Sequence, residues 1–200
     1  MNLNQLKDEM VQVIKSYHLK GWSPATSTNY SFKDEDGQIW VSRSGIDKSQ
    51  MTTEDFMSVN VDGEASQEFT GVKPSAETVI HCVIYELFPD VRFILHSHGV
   101  FPVMLSSKLT NELIVQGYEI QKGFEGVDTH EVKCIIPILQ NNQEMSYFKQ
   151  ELAYKKTQLN HGCFIIKRHG IYAWGGSLAE AKRHLETLDY ICQCEFLTNN

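Results

Sequence analysis

The sequence predicts an α/β fold: a single three-layer domain over residues 1–200, with a mostly antiparallel central sheet flanked by helices. Three observations predict it. Short β-like runs are interleaved with stretches of helical periodicity along the whole chain. Several neighbouring runs are separated by turns too short for anything but a hairpin. No low-complexity linker, internal repeat or break in composition divides the chain.

Residues 3–18 place Leu3, Leu6, Met10, Val13 and Ile14 on one helical stripe, and Gly21 stands where a C-terminal cap is needed. Tyr30–Phe32 and Ile39–Val41 read as strands around the turn Asp34-Glu35-Asp36-Gly37. Phe56–Val61 alternates and then meets the turn Asp62-Gly63. Ser75–Phe88 is predicted helical, with Pro74 just ahead of it. Phe93–His96 and Glu131–Ile138 are predicted strands, and 142–159 a helix. Cys163–Lys167 and Tyr172–Trp174 are strands on either side of His169, and Ser177–Phe196 is the closing helix.

Charge and composition exclude several partners. The net charge is -7, and no Lys/Arg run is long enough to track a phosphate backbone, so nucleic acid is not an expected partner. No apolar stretch reaches membrane-spanning length, and MNLNQLKDEM lacks the apolar core of a signal peptide. Five cysteines without framework spacing fit a reducing compartment, and the expected localisation is cytoplasmic. Cys192 and Cys194 form a CxC inside a helix, where i and i+2 share no face, so they read as ordinary thiols.

His96-Ser97-His98 follows the apolar run Val91–Leu95, so both imidazoles fall on one face of a strand. Joined by His169 from another strand, they would form a three-histidine divalent site with an open position, the pattern of catalytic zinc. HxH alone equally describes two hydrogen-bonded histidines at a strand end. Three polar segments precede them: Ala25–Ser31, Ser42–Lys48 and Lys73–Glu77. Each offers hydroxyls or free backbone N–H groups, and the third opens a helix, where an anion is favoured. Singly they are ordinary turns; converging on a metal they suggest a small phosphorylated substrate. His81 lies four beyond Glu77 on the same predicted helix, although core packing is the commoner fate of such a histidine. His130 and His161 sit near turns and are expected in solvent, whereas Tyr172 and Trp174 are expected in the core, with the wall of the substrate pocket as the alternative.

The order Thr-Asn-Tyr-Ser (28–31), Ser-Gly-Ile-Asp-Lys (44–48), Lys-Pro-Ser-Ala-Glu (73–77), His-Ser-His (96–98) and Arg-His-Gly (168–170) resembles the class II aldolase/adducin family over roughly residues 5 to 195. The segments 21–27, 73–78, 118–123 and 169–175 look like its methylthioribulose-1-phosphate dehydratase branch. The resemblance implies a lyase of methionine salvage that converts 5-methylthioribulose 1-phosphate to 5-methylthio-2,3-dioxopentyl phosphate and water. It implies one Zn2+ per subunit on His96, His98 and His169, and a substrate phosphate among Asn29, Ser44, Gly45, Ser75 and Ala76. Glu119 matches the acid/base position of the dehydratases and Glu77 that of the aldolases; the proton work goes to Glu119, with Glu77 accessory. Family analogy also implies a homo-oligomer, a tetramer in the usual arrangement. The alternatives are an aldolase or 4-epimerase of the same fold and, more remotely, a non-catalytic adducin-like interaction module. One departure stands out: Thr28 occupies a place where the family usually has glycine, a strain if that position needs positive φ.

Overall fold

The computed structural model describes residues 2–198. Its elements are α1 (Leu3–Leu19), β1 (Tyr30–Lys33), β2 (Ile39–Ser42), β3 (Phe56–Val59), α2 (Thr78–Leu87), β4 (Phe93–Ser97), α3 (Val100–Lys108), β5 (Glu112–Val115), β6 (Cys134–Leu139), α4 (Met145–Tyr154), β7 (Cys163–Ile166), β8 (Gly170–Gly175) and α5 (Leu178–Thr198). The strands form one eight-stranded sheet in the order β3-β2-β1-β4-β8-β7-β6-β5. Every pairing is antiparallel except β6 with β7.

Strand alternation sorts the side chains into two cores, one on each face of the sheet. On one face Tyr30, Phe32, Phe93, Leu95, Ile171 and Ala173 pack with α1, α3 and α5 through Met10, Ile14, Leu105, Leu185 and Leu188. On the other, Ile94, Phe164, Tyr172 and Trp174 pack with α2 and α4 through Ile80, Ile84, Phe148 and Leu152. These are the three expected layers. The α1 stripe is buried as its periodicity requires, and Asn2 and Gln5 close a capping box at its start. Gly21 ends it at φ +76, with the Gly21 N–H donating to the His18 carbonyl.

Several boundaries differ from expectation, each for a local reason. The strand expected over 56–61 stops at Val59 because the Asn60 side chain accepts the N–H groups of Asp62 and Glu64. Ser75–Glu77 are not helical: the Ser75 carbonyl and hydroxyl accept the Thr78 and Glu77 N–H groups in a tight turn. The helix expected over 142–159 is Met145–Tyr154 followed by the short 3-10 turn Lys156–Gln158. Helix α3 and strand β5 were not anticipated. β5 is an edge strand paired only to β6, with Glu112 and Ile114 exposed, and its four residues are too few for periodicity to reveal. His161, expected in solvent, is buried, its Nδ1 bonded to the Glu125 carbonyl.

Helix α5 carries an acid into the core. The Asp189 carboxyl lies against Gly99, its Oδ1 has no hydrogen-bond partner, and burial pushes its pKa up to about 7, with Lys20 opposing. Between the ordinary aspartate value near 4 and about 7 the folded chain keeps a proton that the unfolded chain releases. Stability is therefore lost as pH rises through that window. Asp189→Asn is expected to flatten this dependence, its stability relative to the parent rising by on the order of 3 kcal/mol between pH 5 and pH 8. Urea unfolding of both proteins at the two pH values measures it; an equal difference at both would refute the assignment.

Candidate metal centre and active site

The register of β4 against β8 builds the centre. His96 pairs with Tyr172 and Ser97 with Ile171, which places the turn between β7 and β8 opposite the end of β4. His96 lies within β4, and His98 one residue past its end. His169 comes from that turn rather than from a strand, a correction to the sequence reading. The turn is held tightly. Arg168 adopts φ +55, its N–H donates to Ser106 Oγ, and a Cβ on Gly170 would collide with the Ser97 carbonyl oxygen. Only glycine lets the two strands approach this closely.

Three imidazole nitrogens converge there. His96 Nε2 lies 2.8 Å from His98 Nε2 and 3.3 Å from His169 Nε2. Ions with 2.0–2.1 Å bonds in tetrahedral geometry set donors about 3.3 Å apart. The His96 ring is stacked on Tyr172 at 4.1 Å, and its Nδ1–H donates to the Ile171 carbonyl at 2.9 Å. That bond directs the Nε2 lone pair toward the other two rings. Burial pushes His96 well below the ordinary histidine value and His98 down to about 4, which keeps both in the neutral form that binds a cation. His169 Nδ1 is buried without a hydrogen-bond partner, so the ring's polar contacts all lie on its Nε2 side, toward His96 and Glu77. The donor set fits a divalent transition ion with imidazole preference.

Glu77 completes the constellation. Its Oε1 is 3.1 Å from His169 Nε2 and its Oε2 3.6 Å from His96 Nε2. Asn29 Nδ2 donates to Oε2 at 2.6 Å and the Tyr172 hydroxyl at 3.1 Å. Burial opposes ionisation, but His96, His169 and Asn29 outweigh it and hold the carboxyl well below the usual range. The Asn29 amide orientation is set in turn by His81, whose Nε2–H donates to Asn29 Oδ1. Burial pushes His81 down to about 4, so its Nδ1 is free to accept from Ser31 at 2.7 Å, and Ser31 accepts from Tyr85 at 2.8 Å. A buried chain of donors thus ends on the Glu77 carboxylate. Tyr85 had no assigned part in the sequence reading and Ser31 only a general one within the first polar segment; the contact of Tyr172 with Glu77 was detectable only once strand register placed it opposite His96.

The three polar segments do converge on this end of the sheet. His98 N–H donates to the Trp22 carbonyl and His96 N–H to that of Asn29, tying the 22–29 loop along β4. The fully buried Lys48 ammonium donates to the Ile46 carbonyl at 2.9 Å and the Thr26 carbonyl at 3.4 Å, joining the first loop to the second. The Asn29–Glu77 bond joins the first to the third. Ser44, Gly45 and Ala76 are exposed and Ser75 half-buried, whereas Asn29 is buried with its amide directed at Glu77 and His81. Thr28 has φ +71, the strained conformation that glycine would relieve, and its hydroxyl bonds Ser23 and Tyr30. Glu119 is elsewhere in contact terms. It opens the 3-10 turn Glu119–Gly123, is exposed, and pairs with Lys122 at 2.6 Å and His130 at 3.4 Å.

Gly170→Ala is expected to cost about 1–3 kcal/mol through overpacking and to move His169 out of the cluster. Unchanged zinc affinity in the variant, read by competition with a chromophoric chelator, would refute the role given to this contact.

Comparisons with known proteins bear on the family and the fold. A chain from Picosynechococcus sp. named methylthioribulose-1-phosphate dehydratase is 48% identical over 191 residues, covering 94% of this chain and 90% of its own. One of the same name from Citrobacter koseri is 38% identical, with 94% and 92% covered. Among solved structures, L-fuculose-1-phosphate aldolase from Thermus thermophilus superimposes with a TM-score of 0.77 at 21% identity, covering 99% of this chain and 97% of its own. That likeness shows the fold. The family described as Class II Aldolase and Adducin N-terminal domain matches residues 8–196. The chain belongs to the class II aldolase and adducin N-terminal domain family.

Proposed function

We propose that this chain is a zinc-dependent hydro-lyase that converts 5-methylthioribulose 1-phosphate to 5-methylthio-2,3-dioxopentyl phosphate and water, the dehydration step of methionine salvage. The observation that carries the reading is the ionised Glu77 carboxylate set 3.1 Å from one of three converging imidazoles, in a chain 48% identical to a protein named for this reaction. His96, His98 and His169 would hold the zinc ion, which when bound would supply Lewis acidity toward the substrate ketone. Asn29 and Tyr172 fix Glu77 Oε2, which leaves Oε1 turned toward the histidine cluster where the substrate would bind. The C3 proton passes to a carboxylate, the C4 hydroxyl leaves with a proton from an acid, and the resulting enol tautomerises to the dione. The phosphate is held by the loops of Asn29, Ser44, Gly45, Ser75 and Ala76, where backbone N–H groups are available.

Glu119 is the proposed acid, with Glu77 the accessory base. Within the chain Glu119 pairs with Lys122 and His130, so we assign its delivery to a neighbouring subunit of a homotetramer. An apolar surface supports this assembly: exposed Val100 and Ile120 share a groove with Trp22, whose carbonyl holds His98. No helix among the described residues is long and apolar enough to cross a membrane. The five thiols are unpaired, in keeping with a cytoplasmic site.

His98→Ala is expected to lose most of its zinc, since two imidazoles leave the ion under-coordinated; full retention would remove His98 from the ligand set. Glu119→Gln and Glu77→Gln should each keep zinc and lower turnover by about 10²–10⁴-fold. Refolding the two variants together should restore roughly a quarter of parental activity if each site draws its carboxylates from two subunits of a cyclic tetramer. No recovery on mixing would place Glu119 in its own subunit's site. Dione formation from the substrate, against cleavage into two fragments or inversion at C4, separates this reading from the aldolase and epimerase alternatives.

A further inference from the structure

We propose that Glu125, Glu180 and His184 form a second divalent-cation site, separate from the three histidines, with the donor chemistry of zinc. Glu180 and His184 are four apart near the start of α5 and share a face. Glu125 comes from the loop just after the turn Glu119–Gly123. One nitrogen and two carboxylate oxygens from these residues lie within 4.8 Å of one another.

The imidazole is the independent pointer. His184 is 1% exposed, and its Nδ1–H donates to the Trp174 carbonyl at 2.7 Å. The Nε2 lone pair therefore faces the carboxylates. It has no hydrogen-bond partner, and Glu125 Oε2 stands 3.8 Å away, too far for a hydrogen bond and suited to two ligands of one ion. Leaving a buried ring nitrogen unpaired costs about 1–3 kcal/mol, which a cation would offset. The anchoring bond from the far nitrogen is the arrangement that orients a metal-binding histidine.

The carboxylates are arranged to match. Glu125 and Glu180 touch each other, and without a cation a shared proton must hold them together; that contact pushes Glu125 up. Glu180 Oε2 is fixed by the Gly176 N–H at 2.7 Å. The nearest fixed cation, Arg183, is 3.9 Å from Glu180 Oε1 and more than half exposed, while its Nε is committed to the Gly123 carbonyl. Two glycines make room: a Cβ on Gly162 would collide with His184 Nδ1, and one on Gly175 would lie 2.7 Å from Glu180 Cγ. A cavity of about 350 Å³, walled by Phe88, Leu159 and Trp174, opens beside the three donors and accommodates the remaining water ligands. An ion here would tie α5 to the segment that follows Glu119.

The test is equilibrium dialysis of the purified full chain against zinc buffered in the micromolar range, followed by counting bound ions. The parent is expected to hold two ions per chain and Glu125→Gln/Glu180→Gln one, with zinc raising the thermal midpoint less in the variant. Equal ion counts in parent and variant, whether one or two, would overturn the site and leave the carboxylates as a proton-sharing pair only. Glutamine keeps the acceptor for Gly176 N–H, so the fold is expected to survive; Glu125→Gln alone, at the most exposed of the three positions, carries the same test if the double variant does not fold.

Discussion

Everything at the functional end of this molecule depends on the pairing of β4 with β8. The register sets His96 against Tyr172 and Ser97 against Ile171. A slip of one residue would turn His96 into the opposite core and carry Tyr172 away from Glu77. Gly170 sits where the two backbones nearly touch, so the sheet itself holds His169 at the distance a shared ion needs. The three imidazoles are thus placed by the main-chain hydrogen bonds of β4, β8 and the turn before β8.

Around this frame the electrostatics are organised by one buried negative charge. Glu77 stands at the junction of a turn and α2, where helical N–H groups favour an anion. Its oxygens face the histidines on one side and Asn29 and Tyr172 on the other. Because Asn29 is orientated by His81, and His81 by Ser31 and Tyr85, the carboxylate is fixed from deep in the second core. A carboxylate held this way is already fixed in place before any ligand arrives. Glu119, exposed and paired only with other surface side chains, has none of this support within its own chain.

Much of the architecture was legible because its signals are local. The α1 stripe, the Asp34–Gly37 hairpin and the apolar run into His96 each follow from neighbours a few residues apart. Helix α3 and edge strand β5 were not legible, since α3 carries no clear amphipathic stripe and β5 is defined by its partner. His161 was misjudged for the same reason: proximity to a turn says little about burial when a loop from elsewhere, here the segment of Glu125, closes over it.

The sequence by itself determined the candidates for the chemistry: two histidines alternating at a strand end, a third before a glycine, and two glutamates, Glu77 and Glu119. It did so because residue type and short-range spacing limit what a side chain can bind. Only the tertiary structure decided that His169 lies in a turn, that Asn29 serves Glu77 and His81, that Lys48 clasps two loops, and that His184 meets Glu125 and Glu180. Apart from Lys48 with Ile46 and His184 with Glu180, near neighbours in the chain, those contacts join residues 22 to 59 positions apart. Strand register and burial set them, and both are properties of the assembled sheet.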